Sequence, residues 1–304
     1  MSVVHPASPQ ARERVVLGVI GGSGLYDMEQ LHRCERVSLE TPFGAPSDAY
    51  TVGEIEREDG APLRTVFLPR HGAQHRLLPG EINYRANLHG LKQLGVTHLV
   101  AVSAVGSLRE SIAPGDVVLP DQFIDLTRGR TSTFFGQGVA AHVQFGEPTS
   151  PELRALVTAA VREQAATLHA AGTCIVMEGP AFSSRAESEL YRGWGAHIIG
   201  MTAMPEAKLA REAEMAYAPI ALCTDYDCWH DTHEEVSVDS VVAVLKANVA
   251  LARRVLLSVA RKLPERTSDL PYPQSCRDAV ITSPDGIDAI ARARLDLIVG
   301  HYLG

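Results

Sequence analysis

Short apolar, β-branched runs alternate along the chain with longer stretches in which apolar residues recur every three or four positions. The runs at 15–20, 64–68, 98–103, 116–119, 174–177 and 219–224 are too brief for helices and apolar on both alternating faces, which predicts strands, most of them buried on both sides. Helical periodicity predicts helices over 83–94, 152–168, 186–194, 206–214 and 238–262. Ser150-Pro151-Glu152 places a capping residue ahead of a proline at a first helical position, and Ser283-Pro284-Asp285 repeats that signal before a final helix over 285–300. Ser237 is a third candidate cap. Strands interleaved with helices predict an α/β fold, a mixed twisted sheet flanked by helices. There is no internal repeat, and the one composition shift falls near 263–275, where prolines gather. The chain therefore reads as a polar tail (1–14), one main domain (15–262) and a C-terminal extension (263–304) ending in a helix.

Composition narrows the partners. The 304 residues are 45% hydrophobic and 21% charged, with a formal net charge of -8. A duplex-binding surface needs a basic stripe, and the sequence has none, so nucleic acid is not a predicted partner. Small anions stay open, because a few placed donors bind them whatever the net charge. The first 13 residues are polar with two prolines, unlike a signal peptide, and no later stretch is long and apolar enough to span a bilayer, so no membrane partner is predicted. Five scattered cysteines without CxxC pairing or zinc spacing predict free thiols in a reducing, cytoplasmic setting.

Candidate chemistry clusters just past the predicted strands. Gly21-Gly22-Ser23-Gly24 can expose backbone N–H groups to an anion, with a hydroxyl beside them, or can be a plain tight turn. It lacks the third glycine of a dinucleotide fingerprint and the Gly-Lys of a P-loop. Arg70-His71-Gly72 offers a planar donor fork suited to phosphate, or a surface pair. The small residues of Ser103-Ala104-Val105-Gly106-Ser107 allow close backbone approach to a ligand, and Met201-Thr202 is a fourth such site. Asp225-Tyr226-Asp227 sets two acids two apart. On a strand both would face one cavity, and each would raise the other's pKa toward that of a general acid; otherwise they are solvated loop acids. His230-Asp231-Thr232-His233-Glu234-Glu235 lacks metal-site spacing and reads as a loop.

In order along the chain, the words GVIGGSGLYD, TPFGAPSDA, LPRHGAQH, VGSLRESIAPGDVV, DQFIDLT, EGPAFSSRAES, WGAHIIGMTAMPEAKLAREA and CTDYDCW resemble the 5'-methylthioadenosine phosphorylases of the trimeric purine nucleoside phosphorylase superfamily, over 15–262. The resemblance implies the type I nucleoside phosphorylase fold and phosphorolysis of methylthioadenosine, with inorganic phosphate as co-substrate and no metal or organic cofactor. It implies phosphate among Ser23, Arg70, His71, Ser103, the Ala104 amide and Thr202. The sugar would bond to the Met201 backbone, and Phe182 would pack on the purine. Asp225 would protonate purine N7, Tyr226 would lie in the substrate site, and Asp227 would read the 6-amino group. Ser183 and Val238 match specificity positions, the latter beside the 5'-substituent. A homotrimer is implied, with His142 contributed to a neighbour's site; some members pair trimers into hexamers. Four positions depart from the pattern: Gly200 for asparagine, Ser23 and Ser103 for threonines, and Ala181 for arginine. Gly200 keeps a methylthioinosine or 6-oxopurine nucleoside phosphorylase as the alternative, with a non-catalytic nucleotide-binding protein as the other class.

Overall fold

A computed structural model of the chain describes residues 13–22, 24–25, 28–57, 60–230 and 238–303, with side chains of the last run from 247 onward. Eleven strands form one mixed sheet among them. Its main path runs β2 (Leu31–Val37), β3 (Tyr50–Ile55), β4 (Leu63–Pro69), β1 (Leu17–Gly21), β5 (His98–Ser107), β10 (Ile198–Gly200), β9 (Thr173–Val176), β7 (Gln122–Asp125). A branch leaves β5 through β11 (Ala216–Asp225) to β6 (Val117–Val118) and β8 (Leu168–His169). The four central strands β4, β1, β5 and β11 are mutually parallel, so their carboxyl ends share one edge of the sheet. That edge is where open α/β sheets bind ligands.

β5 extends four residues beyond its predicted apolar run. It pairs with β11 from His98 to Gly106, while its far end also meets β10 in antiparallel register, Ile199 opposite Gly106. The small residues after Val102 thus stay in the sheet through their neighbours rather than through their own hydrophobicity. A register shift between Cys223 and Asp225 bulges β11, a device that re-aims side chains beside functional sites. The apolar pattern does not mark β2, because Leu31 is its only fully buried residue; residues 32–36 form an exposed, mostly charged or polar edge, which resists pairing with other chains. β3, β7, β8 and β10 lacked the length or apolar run that the pattern requires.

α1 (Tyr84–Gln93), α4 (Ala203–Glu212) and α6 (Ala289–Val299) bury Leu88, Leu91, Leu209 and Leu295 in the core on one face of the sheet. On the other, α2 (Pro151–Arg162) and α5 (Val238–Lys262) bury Leu153, Val157, Val255 and Val259. The Ser150 cap is present, its hydroxyl accepting from the Leu153 N–H. α2 stops at Arg162 rather than at 168, because Ala165 turns left-handed (φ 52°) and frees Leu168–His169 to pair with β6. α3 (Arg185–Gly193) opens on a reciprocal box between Ser184 and Glu187. Ser283-Pro284 opens only a single 3-10 turn, and Asp288 caps the last helix instead, accepting from the Ala291 N–H. Ser237 lies outside the described residues.

Candidate active site

The site assembles along residues 102–106 of β5. At one end the Arg70 N–H donates to the Gly21 carbonyl (2.9 Å), joining the turns after β1 and β4. The Arg70 side chain is only 2% exposed and its fork grips Glu206 of α4 twice, Nε to Oε2 at 2.8 Å and Nη2 to Oε1 at 3.1 Å. Nη1 reaches the Val102 carbonyl (3.2 Å) and Nη2 the Ile20 carbonyl (3.4 Å). Burial opposes the charge, but Glu206 outweighs it and holds the guanidinium protonated. Among the described residues, one Nη1 hydrogen has no acceptor. Sequence reasoning missed Glu206, whose only trace was an acid in a mostly apolar word, AMPEAKL.

His71 follows Arg70 in the turn after β4. Its Nδ1 lies 2.8 Å from the Leu77 carbonyl and its ring stacks on His75 at 4.1 Å. Burial, with Arg70 and His75 adding to it, pushes its pKa down to about 4 against the raising effect of the carbonyl. The neutral ring therefore carries its hydrogen on Nδ1, toward Leu77, and presents Nε2 as an acceptor. Such an acceptor suits an O–H donor rather than a bare oxyanion.

Ser103 is half-buried and Ala104 exposed where β10 ends against them: a Cβ on Gly200 would stand 3.3 Å from Val105 Cγ1 and 4.0 Å from the Ala104 carbonyl. Met201 and Thr202 follow. Thr202 occupies the cap position of α4, is 8% exposed, and its hydroxyl caps none of the helix amides. Met204 departs from helical angles (φ -117°, ψ 135°), so the regular helix starts at Pro205. The Met201 carbonyl is held by Arg130, a second buried arginine that sequence reasoning missed. Arg130 Nη1 also donates to the Met204 carbonyl (2.7 Å), and its Nε meets Glu178 at 2.8 Å. Nothing in its loop word, LTRGRTS, marks it.

At the other end stands Asp225, against Gly106, where a Cβ would lie 3.0 Å from Asp225 Oδ1. Thr224 Oγ1 donates to Asp225 Oδ2 (2.7 Å), and the Asp227 N–H donates to Oδ1 (2.9 Å). Burial pushes the Asp225 carboxyl up; the Thr224 bond opposes this and the Asp227 charge adds to it. The two acids are not related by strand alternation, as the sequence suggested. Asp227 sits past the strand end in a left-handed turn (φ 37°), its carboxylate accepting from Ser188 Oγ of α3 at 2.6 Å. Burial, rather than like charge, is the leading cause of the raised acid.

The remaining predicted residues divide. Tyr226 stacks on His230 (4.6 Å) and meets Trp229 edge-on, and the indole anchors this loop to β5 through the Ser107 carbonyl (2.8 Å). Ser183 is buried beside Met177, its carbonyl accepting from the Cys228 thiol, while Phe182 is 83% exposed. His142 lies elsewhere, exposed on a loop paired with the C-terminal extension. Ser23 and the Val238 side chain fall outside the described residues, as does the His230–Glu235 stretch after His230. Two concavities, of about 210 Å³ by Tyr217 and 370 Å³ by Leu63, open at the amino ends of the parallel strands, away from Arg70 and Asp225.

The parallel strands of this α/β sheet thus bring Arg70, Ser103 and a carboxyl of raised pKa to one edge, an arrangement suited to an anion and a proton transfer. The profile of the Phosphorylase superfamily matches residues 16–261, and the chain belongs to that superfamily, as a pentosyl-transferring enzyme. More narrowly, it is 55% identical to the S-methyl-5'-thioadenosine phosphorylase of Geobacter sulfurreducens, over 95% of this chain and 99% of that one. It is 51% identical to the protein of that name from Synechocystis, over 94% and 87%. Among solved structures it resembles a methylthioadenosine phosphorylase from an antarctic soil metagenomic library (43% identity, TM-score 0.86, 94% and 99% covered). It also resembles the Schistosoma mansoni methylthioadenosine phosphorylase in complex with adenine (38% identity, TM-score 0.74, 81% and 91% covered).

Proposed function

We propose that the chain cleaves 5'-methylthioadenosine with inorganic phosphate, giving adenine and 5-methylthioribose 1-phosphate, with Asp225 as the general acid. The observation that carries this is the layout on β5, with Arg70 bonded at Val102, the Gly200 approach at Ala104, and Asp225 against Gly106. At about 3.3 Å per residue these groups are spread over roughly 7–13 Å, room for an anion, a sugar carbon and the edge of a base in a row.

Phosphate lies at the Ser103 and Thr202 hydroxyls, the Ala104 amide and the free Nη1 hydrogen of Arg70, with Ser23 beside it and a P–OH donating to His71. Because Glu206 already balances Arg70, backbone amides and the amino end of α4 supply much of the attraction. A phosphate oxygen forms its bond to C1' while the C1'–N9 bond breaks, the electron pair passing to the purine. Asp225 gives its proton to N7, so the base leaves neutral. Holding the two reactants together contributes up to about 7–11 kcal/mol, and leaving-group protonation roughly 10²–10⁴-fold. Asp227, an acceptor held by Ser188, suits a 6-amino donor and opposes a 6-oxo lone pair. Met201 bonds the sugar through its backbone, and Phe182 and Tyr226 border the base. Ser183 sits at the base side and Val238 at the 5'-substituent; an apolar wall there selects against a 5'-hydroxyl by only about 1–3 kcal/mol. The reaction uses no metal or organic cofactor. The assembly is a cytoplasmic homotrimer in which His142 reaches a neighbour's 5' pocket.

The deciding experiment is a panel of methylthioadenosine, methylthioinosine, adenosine and inosine, run with and without phosphate. Adenine should appear fastest from methylthioadenosine, only with phosphate and undiminished after metal removal, and Asp225→Ala should lower kcat by about 10²–10⁴-fold. Faster hypoxanthine release from methylthioinosine would install the 6-oxopurine reading, and no phosphate-dependent product would end the phosphorylase one.

A further inference from the structure

The C-terminal extension has so far had no part in the site, yet its contacts converge on one loop. Ala141 bridges Val280 in antiparallel register, the Ala140 N–H donates to Thr282 Oγ1 (2.8 Å), and the His142 N–H to the Ala279 carbonyl (2.9 Å). From α6, Arg294 Nη2 reaches back to the Gly136 carbonyl (2.6 Å) and Nη1 to the Gln137 side chain. The extension is itself moored to the carboxyl end of α4. There the Cys276 N–H and the Tyr302 hydroxyl both donate to Glu214 Oε1, at 3.0 and 2.9 Å. α6 shares a core with Phe134 and Val139 at the base of the loop. The 136–142 loop is thus held along its backbone from one side and at its root from beneath. His142 is among the residues it leaves exposed.

We infer that residues 275–303 brace the 136–142 loop so that His142 is presented, already ordered, to the active site of a second copy of the chain. This rests on the proposed reading that His142 serves a neighbour's site. A second copy suits the surroundings. Phe182 stands 83% exposed, and Ile281 and Ile290 on the extension 67% and 81%, apolar surface that an identical neighbour would cover. Ordering the loop during folding removes that entropic cost from each binding event.

Thr282→Val and Arg294→Met in the full-length chain test it by hydrogen exchange and by steady-state kinetics. Exchange at the Ala140 and His142 amides should quicken about tenfold or more in the variants. The KM for methylthioadenosine should rise about 3–10-fold while the KM for phosphate stays within about twofold. In a His142→Ala background either variant should add less than about twofold, because both act through the same contact. Unchanged exchange overturns the brace. Faster exchange with an unchanged nucleoside KM, a parallel rise in both KM values, or full additivity with His142→Ala overturns the presentation of His142. If the parent chain releases no base from any nucleoside, the phosphorylase reading falls and takes that presentation with it, while exchange still decides the brace.

Discussion

Arg70, if it holds the proposed phosphate, does so while giving the site little net charge. Its guanidinium is fully buried and Glu206 neutralises it in place. Removing one partner of a buried pair costs about 3–5 kcal/mol, because the other charge stays behind. Glu206→Gln should therefore unfold at lower urea concentration, and added phosphate should restore more of the loss than it adds to the parent, since the anion replaces the missing carboxylate. Denaturation with and without phosphate reads this directly; an equal phosphate increment in both proteins would argue against phosphate at Arg70. Gly106 makes a second test at this scale. A methyl there would press on Asp225 Oδ1 at 3.0 Å and on Ile199 Cγ2 at 3.2 Å. Gly106→Ala should displace the acid by a few tenths of an ångström and lower kcat by about 10–100-fold. Its unfolding midpoint should change little, and an unaffected kcat would remove Asp225 from the reaction.

Between elements, the bulge in β11 and the start of α3 act as one unit. The reciprocal Ser184–Glu187 box fixes where α3 begins, which places Ser188 fully buried with its hydroxyl on Asp227. Asp227 in turn lends its N–H to Asp225. A hydrogen bond to a charged group contributes about 1.5–3 kcal/mol. Ser188→Ala should then lower kcat/KM for the 6-aminopurine nucleoside by about 10–100-fold and narrow its lead over the 6-oxo analogue. A uniform loss for both bases would mean that Ser188 supports the fold rather than the reading of the base.

Across the whole molecule, buried titratable groups pull stability in opposite directions with pH. Burial pushes His71, His89 and His98 down to about 4 from 6.5. The unfolded chain binds those protons more tightly, so their contribution is lost as pH falls from 6.5 toward 4. Glu212, buried beneath the 133–134 turn and accepting from Thr133 and the Phe134 N–H, is pushed up to about 7 from 4.5. There the fold keeps the proton and the unfolded chain releases it, so stability falls as pH rises from 4.5 to 7. Glu212→Gln, which imitates the protonated acid, should gain on the parent by up to about 3 kcal/mol between pH 5 and pH 8. Urea denaturation at the two pH values measures the difference, and a constant offset would contradict the buried acid.

By itself the sequence determined the α/β class and which side chains follow its central strands. Strands buried on both faces write continuous apolar runs, and the glycine, serine, arginine and aspartate clusters that follow them fall at strand ends whatever the rest of the chain does. The capped start of α2 and the ordered phosphorylase words were equally local. Only the tertiary structure decided the partners: Glu206 for Arg70 across 136 positions, Met201 for Arg130 across 71, Ser188 for Asp227 across 39. It also decided the edge strand β2, the bulge that carries Asp225, the left-handed turn that removes Asp227 from strand alternation, and the tautomer of His71. Hydrophobic periodicity is a property of neighbouring residues, whereas the partner of a buried charge depends on which distant segments the packed core brings together.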